Sequence, residues 1–239
     1  MIHLSVSGCQ GRMGQRITQL ALADKDFKLT TLLEHPDHPK AKETIEGIKI
    51  SSDSENLKTC DAHIEFTLPE GTLKNLDACV KHGVPMVIGT TGFSPEGIQK
   101  IKDASVKIPI VFASNMSVGV NLVFKLTQLT AQKCAQNYTM NIVETHHVHK
   151  KDAPSGTAKT IAEIAEQASG KKVTNIESIR EGEVIGDHTI SFESDEDIIT
   201  ITHHAKNRDI FAKGSLVAAK FLINKKPGLY DMQDVLNLK

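Results

Sequence analysis

The first half of the chain alternates two hydrophobic rhythms. Ile2-His3-Leu4-Ser5-Val6-Ser7 switches between apolar and polar side chains, the period of a strand. It runs into Gly8-Cys9-Gln10-Gly11-Arg12-Met13-Gly14, after which Met13, Ile17, Leu20 and Ala21 recur at helical spacing as far as Asp24. Phe27–Leu33 predicts a second strand, closed by Glu34, and the polar stretch His35-Pro36-Asp37-His38-Pro39 predicts a loop. Residues 62–66, 84–88 and 108–112 are short apolar runs of strand type. Between the first two, 72–81 has helical period, with Gly83 placed to end it. Strands alternating with helices predict an α/β fold, a Rossmann-type doubly wound parallel sheet.

Past about Val118 the texture changes. The pattern predicts a helix over 120–134, a strand over 139–144, and a helix over 155–169 with Ala158, Ile161, Ala162 and Ala165 on one face. Residues 188–192 and 198–203 flank the turn-rich Ser194-Asp195-Glu196-Asp197, which predicts an antiparallel hairpin. A helix over 216–223 is stopped by Pro227-Gly228. This second regime predicts a smaller α+β domain of about 90 residues. No internal repeat or low-complexity stretch interrupts either part.

Composition narrows the function classes. The 239 residues carry 28 Lys and Arg against 29 Asp and Glu, a balance that argues against a nucleic-acid partner. Aromatics are 4% with no Trp, so base-stacking platforms are not expected. No apolar run reaches the roughly 20 residues of a membrane span, and the N-terminus lacks the pattern of a secretory signal. Cys9, Cys60, Cys79 and Cys134 form no C-x-x-C pair, which fits free thiols in a reducing cytoplasm.

Three loops on the sheet carry ligand chemistry. Gly8, Gly11 and Gly14 lie between a strand and a helix, where backbone N–H groups meet a pyrophosphate. Their G-x-x-G-x-x-G spacing also suits an ordinary glycine turn. Glu34, 20 residues beyond Gly14, stands where a carboxylate accepts a hydrogen bond from an adenosine ribose. Gly89-Thr90-Thr91-Gly92 and Ala113-Ser114-Asn115-Met116-Ser117 follow two further strands at the carboxyl edge, and Asn115 has both donor and acceptor for a carboxamide. Cys9 is read as packing rather than redox.

The densest chemistry runs from Glu144 to Thr157. His146 and Lys150 are four apart, a spacing that puts them on one face of either a strand or a helix, and together they offer two proton donors and a cationic field. Ser155, Gly156 and Thr157 open the following helix, so N–H groups and hydroxyls form a second anion site. Two other readings stand beside this one. His147 and His149, with Asp152 or the distant His203 and His204, are possible metal ligands, although no H-E-x-x-H or cysteine pair supports a metal. The stretch also reads as a solvated basic strand end beside a helix cap. Arg208 is either a carboxylate partner or a plain surface arginine.

These motifs resemble the 4-hydroxy-tetrahydrodipicolinate (dihydrodipicolinate) reductase family through nearly the whole chain. The carriers are the Gly8 to Gly14 loop, Phe66-Thr67-Leu68-Pro69-Glu70-Gly71, Val87-Ile88-Gly89-Thr90-Thr91-Gly92-Phe93, Asn115-Met116-Ser117-Val118-Gly119-Val120-Asn121, and above all His146-His147-Val148-His149-Lys150 with Asp152-Ala153-Pro154-Ser155-Gly156-Thr157. The resemblance implies a dinucleotide domain over 1–117 and 208–239 and a substrate and tetramer-forming domain over 118–207. It implies NADH or NADPH as cofactor, a small cyclic dicarboxylate as substrate, a homotetramer, and a place in diaminopimelate and lysine biosynthesis; from the missing motifs above, no metal is expected. Carried over by residue, Gly8, Cys9, Gln10, Gly11, Arg12 and Met13 would cradle the pyrophosphate and Glu34 the ribose. Gly89, Thr90, Thr91, Ala113, Ser114, Asn115 and Met116 would line the nicotinamide side. His146 and Lys150 match the proton-donor pair, His147 a substrate contact, and Gly156-Thr157 a carboxylate clamp beside Ser155. Two departures touch the cofactor: His35 stands where many members have an Arg, and Leu68 replaces a frequent Arg. The segment before Ser178 is also shorter than usual.

Overall fold

A computed structural model describes residues 1–134 and 137–239 and divides them into two units. The first comprises Met1–Met116, Phe211–Asn237 and Lys239; the second comprises Ser117–Ile210 and Leu238.

In chain order the first unit opens with β1 (Ile2–Ser7), α1 (Arg12–Ala23), β2 (Phe27–Leu33), β3 (Thr44–Ile45) and β4 (Ile48–Ser51). It continues with β5 (Ala62–Glu65), α2 (Pro69–His82), β6 (Met86–Ile88), α3 (Pro95–Ser105) and β7 (Pro109–Phe112). The strands order as β12-β7-β6-β5-β1-β2-β4-β3, where β12 (Gly228–Tyr230) comes from the end of the chain. Every pairing is parallel except β3 with β4. Alternate residues of single strands feed opposite cores. Val87 joins Leu4, Val6, Ile17 and Leu32, whereas Met86 and Ile88 join Leu76, Ile101 and Ile110. A sheet buried on both faces in this way explains the unbroken apolar runs.

Several elements depart from the pattern reading. α2 starts at Pro69, three residues early, because a proline suits the first helical turn. It ends as expected on Gly83, whose φ of 71° is left-handed. α3 was not expected, although Ser94 caps it by accepting from Gly97 N–H and Pro95 starts it. Nor was the short 3-10 turn over 54–59, which sends Leu57 into the second core.

The second unit holds α4 (Val118–Cys134), β8 (Thr139–His146), α5 (Gly156–Ser169), β9 (Asn175–Arg180), β10 (Asp187–Glu193) and β11 (Ile198–His204). Its sheet runs β11-β10-β8-β9, with β8 parallel to the unpredicted β9 and antiparallel to β10. The hairpin of β10 and β11 forms as expected. Met140, Ile142, Ile190 and Phe192 pack under α4 and α5. The alternate residues Asn141, Val143, Thr189 and Ser191 stay half-exposed on the other face.

The chain closes with α6 (Asp209–Leu222), longer than the predicted 216–223, and with β12 and α7 (Met232–Val235). From Phe211 onward this segment belongs to the first unit. Gly214 lets α6 settle on the backbone after β7: a Cβ there would lie 1.7 Å from the Met116 carbonyl oxygen.

Candidate active site

The first unit builds a cradle from β1, α1 and β2. Gly8 turns the chain with φ +62°, and Gly11 N–H closes the turn on Gly8 C=O at 2.8 Å. Gly14 lies against that turn so closely that a Cβ would sit 2.0 Å from the Gly8 carbonyl oxygen. Gly11 is the N-cap of α1 and offers no side chain to its N–H groups, so the first turn of the helix keeps its donors for an anion. Glu34, just past β2, accepts from Gln10 N–H and His35 N–H, each at 2.9 Å, which fixes its carboxylate beside the loop. Ser7, Gly8, Gly11, Glu34, His35, His38, Phe66 and Lys74 line a cavity of about 650 Å³, a size that suits a nucleotide. Backbone that no side chain can enter, free helix donors and a ribose-type acceptor together fit a dinucleotide.

The other predicted loop residues divide by burial. Cys9 is enclosed, and burial, reinforced by the charge of Glu34, pushes its thiol up to about 12. It therefore stays a neutral packing group, as expected. Arg12 is exposed and Met13 half-buried at the start of α1. Gly89 lies under the Phe66 ring, where a Cβ would come within 2.2 Å. Thr90 is buried and receives bonds from Thr67 N–H at 3.2 Å and Thr72 Oγ1 at 2.9 Å, whereas Thr91 is exposed. Ala113 is half-buried, Ser114 exposed and Asn115 half-buried. Met116 packs into the core, so it offers a ligand only its backbone.

In the second unit, strand register assembles a cluster that spacing alone does not show. On β8, Glu144 and His146 are two apart and so share the face under the helices. His188 of β10 pairs opposite Glu144, and Arg180 of β9 opposite His146. Glu144 is wholly buried; its carboxylate is hydrogen-bonded to His146 Nδ1 and accepts from Arg180 Nη2 at 2.9 Å and Ser155 N–H at 3.3 Å. Burial opposes its charge, but bonds led by Arg180 hold the carboxyl below its usual range. Because a carboxylate only accepts, His146 Nδ1 carries the proton there. Nε2 has no partner among the described residues and stays open to solvent. Gly186 makes that opening: a Cβ there would lie 3.0 Å from Nε2. Burial holds the His146 pKa down, and Glu144 pulls it back up in part.

His188 packs edge-on to His146, with ring centroids 5.0 Å apart, and its Nε2 lies 3.1 Å from Ser155 Oγ. Burial, then the nearby His146, lowers its pKa to about 4. Glu144, His146 and His188 bring donor atoms within 4.8 Å of one another. The Glu144 oxygens, His146 Nδ1 and His188 Nε2 are engaged with Arg180, Ser155 or one another, while His146 Nε2 and His188 Nδ1 have no partner among the described residues. The metal set of His147, His149, Asp152, His203 and His204 considered from sequence is not the group that converges.

Two expectations need correction. Lys150 does not share a face with His146, because β8 ends at His146 and Lys150 lies in the loop beyond. Its ammonium pairs with Asp152 at 2.9 Å, which lowers the Asp152 pKa and offsets part of the cationic field. Ser155 does not offer its hydroxyl to an anion: it is buried, caps α5 by accepting from Ala158 N–H at 3.2 Å, and faces His188. Gly156 and Thr157 remain at the helix start, and a Cβ on Gly156 would meet only open space. His147 has a buried Nδ1 with no partner among the described residues, a group that a ligand would satisfy. Sequence reasoning missed Glu144, Arg180 and His188. Only Glu144 had a local signal, its i, i+2 relation to His146.

Comparison with known proteins agrees in both halves. Residues 2–116 match the family described as dihydrodipicolinate reductase, N-terminus, and residues 119–236 match its C-terminus. A 4-hydroxy-tetrahydrodipicolinate reductase of Nitrosomonas eutropha is 41% identical over 266 residues, covering 100% of this chain and 99% of the relative. One from Pelagibacter ubique is 42% identical over 259 residues, with the same coverage. Among solved structures, a dipicolinate-bound dihydrodipicolinate reductase from Paenisporosarcina sp. TG-14 has the same fold, with a TM-score of 0.85 at 24% identity over 98% of each chain. Matched along both halves and over its full length, the chain belongs to the dihydrodipicolinate reductase family.

Proposed function

We propose that the chain catalyses the reaction for which its relatives are named, reduction of 4-hydroxy-tetrahydrodipicolinate by a nicotinamide dinucleotide, in diaminopimelate and lysine biosynthesis. The observation that carries this reading is His146, whose Nδ1 is held by a buried carboxylate while Nε2 stays open. When bound, the reduced dinucleotide supplies hydride. Gly8, Cys9, Gln10, Gly11, Arg12 and Met13 would hold its pyrophosphate, and Glu34 its ribose. Gly89, Thr90, Thr91, Ala113, Ser114, Asn115 and Met116 would line its nicotinamide side. His146 Nε2 would take up a proton and pass it to the reduced ring, and Glu144, accepting from Nδ1–H, would steady the imidazolium formed on the way. Gly156 and Thr157 N–H groups at the start of α5 clamp a substrate carboxylate, with Lys150 and His147 adding donors from the loop.

Glu34 opposes a ribose phosphate by its charge, and His35, loosely paired with Asp37 at 3.7 Å, lacks the bidentate fork of an arginine. NADH therefore serves at least as well as NADPH. A homotetramer, as the family resemblance implies, would use the second unit, whose sheet face of Val143, Thr189 and Ser191 is half-exposed. Four buried, unpaired cysteines suit a reducing cytoplasm, and no described helix is long and apolar enough to cross a membrane. The deciding experiment is turnover of the dicarboxylate with each reduced dinucleotide, followed by loss of dinucleotide absorbance and repeated in His35→Gln. Turnover with NADH at least equal to that with NADPH supports the reading. No turnover overturns it, and a strong NADPH preference that survives His35→Gln moves the phosphate to another cation such as Lys74.

A further inference from the structure

Beneath the cavity of the first unit lies a second histidine–glutamate pair that the proposed reaction does not use. His63 and Glu65 on β5 are wholly buried, with His63 Nε2 3.0 Å from Glu65 Oε2. Ser5 Oγ lies 2.8 Å from His63 Nδ1, so both ring nitrogens are engaged. Glu65 receives two further bonds, from Thr67 Oγ1 at 2.5 Å and from Asn75 Nδ2 at 2.8 Å. Burial alone would raise its carboxyl, yet these bonds, led by His63, hold it below the usual range, and it is an acceptor only.

That chemistry fixes Asn75. An amide beside a carboxylate must turn its NH2 toward it. The other N–H of Asn75 is committed as well, donating to Ser7 Oγ at 3.0 Å. Both donors point inward, and the side chain lines the cavity together with Ser7, Gly8, Glu34 and Thr67. Oδ1 has no partner among the described residues and is not enclosed, so it is the atom left for a ligand.

We propose that Asn75 is a further cofactor-binding residue, its amide oxygen accepting a hydrogen bond from a hydroxyl or amino group of the bound dinucleotide, and that Glu65 and His63 are positioning residues that hold it oxygen-first. This rests on the reading of the cavity as the dinucleotide site. Water in the cavity accepts either amide orientation, whereas a dinucleotide donor needs the oxygen. The buried pair decides the orientation before the cofactor arrives.

The test is a fluorescence titration of the full chain with NADH, alongside a titration with adenosine diphosphate. Asn75→Ala removes the acceptor and raises the NADH dissociation constant about tenfold, the scale of one lost hydrogen bond to a ligand. Turnover at saturating NADH and the KM for the dicarboxylate stay within about twofold, a split that general damage to the fold would not give. Glu65→Ala combined with Asn75→Ala binds no more weakly than Asn75→Ala alone, because Glu65 acts through Asn75. Ser5→Ala, at the far end of the network, leaves binding unchanged. A loss seen with both ligands places the donor on the adenosine half; a loss with NADH alone places it on the nicotinamide half. Wild-type NADH affinity in Asn75→Ala overturns the proposal even if Glu65→Ala fails to fold. Glu34→Ala separates the two levels of the argument. If it weakens binding and Asn75→Ala does not, this proposal alone fails. If neither does, the cavity reading falls with it.

Discussion

The two units each bury a histidine and a glutamate two residues apart on one strand, and surround them differently. His63 and Glu65 are sealed: both imidazole nitrogens and both carboxylate oxygens have protein partners. Glu144 and His146 share the same spacing in reverse order, but sit at a strand end where Gly186 leaves His146 Nε2 open. The backing carboxylate is common to both pairs. What separates the sealed pair from the one proposed to act on substrate is whether the second ring nitrogen is free to exchange a proton.

The largest test of that contrast is the same substitution in both places. His146→Gln lowers kcat by about 10²–10⁴-fold, the usual range for a lost proton donor, with NADH affinity little changed. His63→Gln leaves kcat within a few-fold and instead costs stability on the order of 1–3 kcal/mol, the scale of a buried hydrogen-bond network left unsatisfied. Steady-state kinetics with urea titrations measures both. A large kcat loss in His63→Gln would erase the distinction.

A smaller effect sharpens the role of the carboxylate. Glu144→Gln keeps the shape but removes the acceptor charge, and lowers kcat by roughly 10²-fold. Glu144 raises the His146 pKa against burial, so its loss lowers that pKa further. With the charged imidazole as the proposed proton donor, kcat/KM falls as pH rises through its pKa, and the fall moves to lower pH in Glu144→Gln. A pH–rate profile that does not move would make Glu144 merely structural.

The smallest effect isolates the neighbour. His188 stays neutral in the folded protein down to about pH 4, whereas an unfolded histidine takes up a proton near pH 6.5. Between those values the unfolded chain binds more protons, so stability is intact above pH 6.5 and declines as pH falls. From pH 7 to pH 5 the His188 share of that decline is about 2 kcal/mol, and His188→Gln removes it. Urea titrations at the two pH values measure the difference, and equal declines in both proteins would exclude His188 as its source.

Much of the first unit was legible because each strand and helix carries its own period. α3 had a readable start in Ser94-Pro95-Glu96 that the apolar pattern did not draw out. β9 had none, since Ile176 and Ile179 fall on opposite faces and no alternation marks the strand. The candidate site divides in the same way. His146, Lys150 and Gly156-Thr157 lie in one continuous stretch and announce themselves. Arg180 and His188 reach Glu144 through strand register, which no local pattern encodes. The placement of Lys150 failed for a related reason: a shared face requires the strand to continue, and β8 stops at His146.

The return of α6 to the first unit has a consequence for how the protein is born. Leu216, Ala219, Leu222 and Met232 complete the core that Leu4 and Val6 begin, and Gly214 presses the helix onto the Met116 carbonyl. A ribosome releases those residues only after the whole main stretch of the second unit. The second unit, almost entirely one uninterrupted stretch, can close while synthesis continues. The nucleotide-binding unit must wait, one apolar face uncovered, until the intervening second unit and the segment from Phe211 have emerged.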